Sequence, residues 1–137
     1  MLKRILLLVF LSLPLAAQAE LVVVAGAGSQ LGELSENEVR QLFTGQTRAI
    51  KGERIQTLDL PVNEAARIEF YQKLLNRSPD QMRSYWARMI FTGQGQPPRE
   101  VSGQREMKLL VGSSANQVGY LPADEVDDSL RVLFRLN

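Results

Sequence analysis

Ser78-Pro79-Asp80-Gln81-Met82-Arg83-Ser84-Tyr85-Trp86-Ala87-Arg88-Met89-Ile90-Phe91-Thr92-Gly93 holds the single tryptophan of the chain and its most completely marked helix. Ser78 can cap the helix, Pro79 suits its first position, and Gln81 is placed to reach back to the Ser78 amide in a capping box. Met82, Tyr85, Trp86, Met89 and Ile90 recur at the three- and four-residue spacing of one face, which predicts a buried stripe. Gly93 supplies the left-handed residue that ends such a helix. Tyr85 and Trp86, with Arg83 and Arg88, could also form a binding platform, but their spacing fits a packed face.

Upstream, Asn76 and Arg77 leave only a tight connection to a preceding helix. Asn63 is expected to cap that helix, with Ile68, Tyr71, Leu74 and Leu75 on its apolar face and Phe70 at the margin. Before it, Arg54 to Leu60 has the length and the residues of a strand, bounded by Gly52 and Pro61. Ser35 and Glu38 form another capping box, Leu34 can staple onto Val39, and Val39, Leu42 and Phe43 make the buried face of a helix ended by Gly45. Leu21 to Ala25 is a short, β-branched apolar run, which predicts a buried strand. Downstream, Gly93 to Pro98 is a turn-rich connector that could serve as a partner-contact loop or as a rigid link. Ser102 to Val111 reads as a helix with Met107, Leu110 and Val111 inward and Gly112 as its stop. Val118 to Leu121 and Leu130 to Leu136 read as strands. The phrases Leu42-Phe43-Thr44-Gly45-Gln46 and Ile90-Phe91-Thr92-Gly93-Gln94 echo one another through shared helix-end chemistry. Strands interleaved with helices predict an α/β domain with one mixed sheet.

The chain opens with Lys3 and Arg4, an apolar stretch from Ile5 to Leu15, and Ala17-Gln18-Ala19, the pattern of a cleaved export signal over residues 1–19. The apolar stretch is too short to span a bilayer, so no stable membrane insertion is expected after cleavage. Residues 20–137 then form one domain, of about 118 residues. Losing Lys3 and Arg4 turns the formal charge from +1 to about −1. The pI near 8.1 is therefore no argument for nucleic acid as a partner. The sequence has neither Cys nor His, which excludes disulfides, thiol chemistry, zinc sites of the familiar kinds and His-based triads. An exported chain without cysteine fits a bacterial periplasmic protein.

Gly26-Ala27-Gly28-Ser29-Gln30 follows the first strand. Its glycines could let backbone amides converge on an anion while Ser29 adds a hydroxyl, which makes Gly28, Ser29 and Gln30 a candidate oxyanion site; the same residues also read as a plain turn. Asp124, Glu125, Asp127 and Asp128 lack the spacing of a calcium loop and read as a solvated turn. No metal ligands, cofactor or catalytic residues are assigned. A hydrolase using two carboxylates is the weakest of the function classes, because nothing in the sequence singles out a pair.

The series Leu34-Ser35-x-x-Glu38-Val39-x-x-Leu42-Phe43-x-Gly45, Arg67-x-x-Phe70-Tyr71-x-x-Leu74-Leu75, Tyr85-Trp86-x-Arg88-x-Ile90-Phe91-Thr92-Gly93-x-Gly95-Gln96-Pro97-Pro98 and Val118-Gly119-Tyr120 resembles small phosphate-type periplasmic substrate-binding proteins, relatives of those that serve ABC transporters. The resemblance implies a type II binding-protein fold, with a single three-layer-like lobe and a mixed sheet flanked by helices. It also implies a non-enzymatic role, weak binding of phosphate or another small oxyanion, and a membrane transporter or sensor as partner. In full-size members two lobes close over the anion, whereas this chain is long enough for one. Arg67 matches an arginine of the family pattern, so Asn63 and Arg67 at a helix start form a second tentative site. Asn63-Glu64-Ala65-Ala66 stands where the family carries a Ser-Gly-Thr-type hydroxyl cluster. A surface ion pair with Glu64, or capping contacts with Asn63, is the other reading of Arg67. The alternative role is a protein-interaction or sensory accessory module that has lost its ligand.

Overall fold

The computed structural model describes Ser12 and residues 20–137. Apart from Ser12, the leader assigned to residues 1–19 lies outside the described residues. The elements run β1 (Leu21–Gly26), α1 (Glu36–Phe43), β2 (Ala49–Ile50), β3 (Glu53–Arg54), β4 (Gln56–Asp59), α2 (Ala65–Leu75), α3 (Pro79–Phe91), β5 (Arg99–Glu100), α4 (Gln104–Gly112), β6 (Gln117–Pro122), a 3-10 turn (Ala123–Glu125) and β7 (Leu130–Arg135). Five strands form one sheet in the order β5-β4-β6-β1-β7, and β2 pairs with β3 as a separate hairpin. β4 lies parallel to β5 and β6, whereas β1 lies antiparallel to β6 and β7. The sheet is therefore mixed.

Every residue of β1 is buried, and the reason is visible in β6. Gly119 opposes Val24, and a side chain there would meet Met107 and Val111 of α4. Tyr120, one residue on, points through the other face, where its ring stacks on Phe70 of α2 at 3.8 Å and meets Phe43 of α1 edge-on at 5.9 Å. Alternate residues of one strand thus face helices on opposite sides, giving three layers. A strand covered on both faces reads as a continuous apolar run, as Leu21 to Ala25 does.

The helix starts follow their sequence signals. Ser35 with Glu38, and Ser78 with Gln81, form both hydrogen bonds of a capping box, and Pro79 opens α3. Val39, Leu42 and Phe43 are buried, each contributing about 1.5–3 kcal/mol through the area removed from water. The two echoed phrases end their helices alike. Thr44 and Thr92 donate their hydroxyls to the carbonyls four residues back, and Gly45 and Gly93 follow at φ +71° and +68°.

The structure departs from the sequence reading in five places, one of them Ile90 of α3, expected in the buried stripe but 56% exposed. The strand expected over 54–60 is broken at Ile55, whose amide donates to the Arg48 carbonyl at 2.8 Å and turns the chain from the β2–β3 hairpin into β4. α2 is capped by Glu64, not Asn63, because the Glu64 amide closes a turn onto the Pro61 carbonyl and leaves Asn63 inside that turn. The buried face of α2 is Phe70, Tyr71 and Leu74, while Ile68 is 43% exposed. The shift comes from Tyr120, whose ring draws Phe70 to the centre of the core. Finally, Gly112 is the last residue of α4 and Ser113 its cap. On α3, Met82 and Trp86 are buried, Tyr85 and Met89 partly so, and Ile90 faces outward.

Candidate functional site

The two candidate anion sites lie at opposite ends of the sheet. Gln56 pairs with Gln117 and Ala25 with Val118, which sets the start of β4, the start of β6 and the end of β1 at one edge. Leu21 pairs with Pro122, which sets the end of β6 and the start of β1 at the other edge, where β4 leads through Leu60 into α2. Gly28, Ser29 and Gln30 therefore cannot join Asn63 and Arg67 around one ligand.

At the first edge, three amides of the loop after β1, those of Ala27, Ser29 and Leu31, are taken by other groups of the protein. Ala27 N donates to the Ser129 carbonyl, Ser29 N to the Gly26 carbonyl, and Leu31 N to Ser29 Oγ at 3.1 Å. Ser29 is 3% exposed and turned inward, while Gly28 and Gln30 are exposed. Arg131 donates to the carbonyls of Leu31 and Ala27. The loop thus turns two carbonyl oxygens toward an arginine.

At the second edge, sequence and tertiary structure build a connected polar cluster. Asp59 ends β4 and is 3% exposed. Tyr71 donates its hydroxyl to Asp59 Oδ2 at 2.6 Å, and Tyr120 donates to Oδ1. The Tyr120 hydroxyl oxygen in turn accepts the Leu60 amide at 3.3 Å. Arg67, one turn into α2, donates to the Leu60 carbonyl at 2.9 Å, and its guanidinium lies 3.7 Å from Asp59 and 3.3 Å from Glu100. Glu100 Oε1 also accepts the Val62 amide at 2.8 Å. Arg67 is thus paired, as its alternative reading expected, but with Asp59 and Glu100 rather than Glu64. Around the helix start, the Arg67 and Ile68 amides both use the Glu64 carbonyl. Ala65 and Ala66 contribute two leading amides that no helical carbonyl can reach.

Burial raises the Asp59 pKa above its ordinary value, against the opposing pull of Arg67 and of the two tyrosine hydroxyls. Burial, then the Asp59 charge, raises Tyr71 and Tyr120 well above theirs, so both remain hydrogen-bond donors. The sign for stability follows from proton counting. With its folded pKa raised, Asp59 holds its proton to higher pH in the folded chain, so its contribution is fully present below the unfolded value and is lost as pH rises through the folded one. Wild type measured against Asp59→Asn should therefore lose relative stability as pH rises from about 4 through the weakly acid range, read as urea midpoints. A pH-independent difference would contradict the shift.

Asp59 and Glu100 were not singled out in the sequence, and Tyr120 entered only as part of the phrase Val118-Gly119-Tyr120. The available signal was one carboxylate inside the apolar run Leu58-Asp59-Leu60, next to a strand end. The acidic run is a surface turn: Glu125 and Asp127 flank Lys108 of α4 at 3.3 and 3.8 Å. Trp86 is 8% exposed and lies against Gly45, where an added Cβ would come within 3.2 Å of its ring. It is a core residue. Among the described residues no helix is long and apolar enough to cross a membrane.

At the level of sequence, no protein-family model and no curated protein matches the chain. Solved structures do match by shape. An ABC-type phosphate transport receptor from Vibrio cholerae superposes with a TM-score of 0.67 at 19% identity, covering 85% of this chain and 46% of the receptor. A putative phosphate ABC transporter substrate-binding protein from Clostridium perfringens, with bound phosphate, gives 0.67 at 17%, covering 85% and 45%. A possible phosphate binding protein from Planctomyces limnophilus gives 0.59 at 14%, covering 85% and 41%. The chain spans a little under half the length of these proteins. It therefore has the fold of phosphate-type substrate-binding proteins, over a stretch corresponding to somewhat less than half of one.

Proposed function

We propose that the protein is a non-enzymatic periplasmic lobe of the phosphate-binding type, accessory to a membrane transporter or sensor. In this reading it takes a small oxyanion weakly at the start of α2, near Asn63 and Arg67. The observation that carries the reading is the position of Glu100. Its carboxylate accepts the Val62 amide and faces the Arg67 guanidinium, the kind of donors that an external oxyanion would use. An oxyanion must displace Glu100 or settle for the Ala65 and Ala66 amides, with Glu64 close by and no hydroxyl in Asn63-Glu64-Ala65-Ala66. Both routes lower affinity.

Titration calorimetry with inorganic phosphate tests this directly. Wild type is expected to bind with a Kd of about a millimolar, Glu100→Gln to bind about tenfold more tightly, and Arg67→Ala to lose binding. Heat absent from both wild type and Glu100→Gln would remove the oxyanion reading and leave the accessory role to protein contacts. The outward Ile90 and Phe91 of α3, 56% and 92% exposed, are the observation that favours that second reading.

A further inference from the structure

The edge of the sheet away from Arg67 carries a concavity of about 530 Å³, lined in part by Gln96, Pro97 and Pro98 of the connector and by none of the candidate anion-site residues. It lies at the amino-terminal ends of the parallel strands β4 and β5 and before β6, against the β2–β3 hairpin. Three arginines line it from three separate segments: Arg48 ahead of β2, Arg54 in β3 and Arg99 in β5. Gln56, Gln96 and Asn116 add side-chain amides between them, and no aspartate or glutamate lines it. The nearest acidic residue in the hairpin, Glu53, is outside the lining. Among the described residues, none of the three arginines forms an ion pair; Arg40, Arg67, Arg83 and Arg135 do, and Arg77, Arg88, Arg105 and Arg131 do not. Gly95, a buried residue of the connector, approaches the Arg48 guanidinium closely enough that a Cβ there would lie 3.9 Å from Nη2, so the connector backbone flanks that side chain.

We infer that this concavity is a second anion site, for a small anion carrying three or more negative charges, of the oligophosphate or tricarboxylate kind. Three like charges lining one hollow repel each other unless counter-charge is supplied, and no acidic residue lines it. Guanidinium forks recognise phosphate and carboxylate oxygens in pairs, and the three amides can bond the oxygens that remain. The volume is that of a small-molecule site, within the usual range of about 300–1,000 Å³. A monovalent anion would engage one arginine and gain little, because each exposed contact is weak by itself. A multivalent one engages all three at once.

The test uses inorganic tripolyphosphate and citrate as probes in calorimetric titrations of the purified protein, each repeated at low and at physiological salt. At least one probe is expected to bind with a sub-millimolar Kd that weakens as salt rises. Arg48→Gln, Arg54→Gln and Arg99→Gln should each weaken that binding about five- to tenfold, and the corresponding Arg→Lys variants should weaken it less. Because the three side chains are exposed, each variant should keep the wild-type circular dichroism spectrum. Arg67→Ala, which removes the phosphate site proposed above, should leave binding of these probes unchanged, so the two proposals fail separately. Absence of saturable binding of both probes up to about 5 mM overturns the inference. So does binding that survives the triple arginine variant or disappears with Arg67→Ala.

Discussion

Asp59→Ala is expected to destabilise the protein by about 3–5 kcal/mol, because it removes the common acceptor of a buried network and leaves its donors without a partner. The Tyr71 and Tyr120 hydroxyls both end on Asp59, and Tyr71 and Tyr120 are almost wholly buried. Neither can turn to water without moving the Phe43–Phe70–Tyr120 aromatic cluster, in which Phe43 and Phe70 meet edge-on at 4.9 Å. Arg67 would keep Glu100 and the Leu60 carbonyl but lose its second counter-charge. Equilibrium unfolding in urea measures the loss, and a fall of Tm by roughly 10 °C or more should accompany it. Asp59→Asn, which keeps an acceptor oxygen for one tyrosine, should lie between wild type and alanine. A loss below about 1 kcal/mol for alanine would mean that the network adds little to stability.

Gly26→Ala should be comparably damaging for a different reason. The last residue of β1 abuts the end of α4, and a Cβ at Gly26 would lie 2.5 Å from the Ser114 carbonyl oxygen and 2.7 Å from that of Val111. Both obstacles are backbone, so relief requires α4 to move off the sheet, where Met107 and Val111 are fully buried. Overpacking typically costs about 1–3 kcal/mol, and two clashes with backbone place Gly26→Ala at the upper end of that range. Gly28→Ala, two residues on, has nothing within 4 Å of the new methyl and should change stability by less than about 0.5 kcal/mol. Urea unfolding of the two variants side by side makes the comparison. Equal stabilities would contradict the close approach of β1 and α4.

These two residues mark how far the sequence could be read. Gly26 and Gly28 belong to one Gly-x-Gly phrase, and nothing in the phrase says which glycine is sterically required. That depends on α4, about 80 residues downstream, reaching the end of β1. Ser29 illustrates the same limit. As a residue type it suits an anion loop, and only the fold turns its hydroxyl onto the Leu31 amide. Ile68 and Phe70 differ by two positions on one helix, and Tyr120 on a remote strand decides which of them is core.

What the sequence by itself determined were the features whose causes are local. Both capping boxes, the proline at the start of α3, the paired threonine-glycine helix ends and the run of β1 each depend on residues within about four positions, and backbone geometry converts them directly into structure. The motif series also anticipated the fold of phosphate-type binding proteins. The tertiary structure alone decided what faces what. It set the two suspected anion sites at opposite ends of the sheet, placed Glu100 beside Arg67, buried Asp59 between two tyrosines, and gathered Arg48, Arg54 and Arg99 around one hollow. Each of these joins segments distant in sequence, and their meeting is set by strand order and register, which spacing along a chain does not encode.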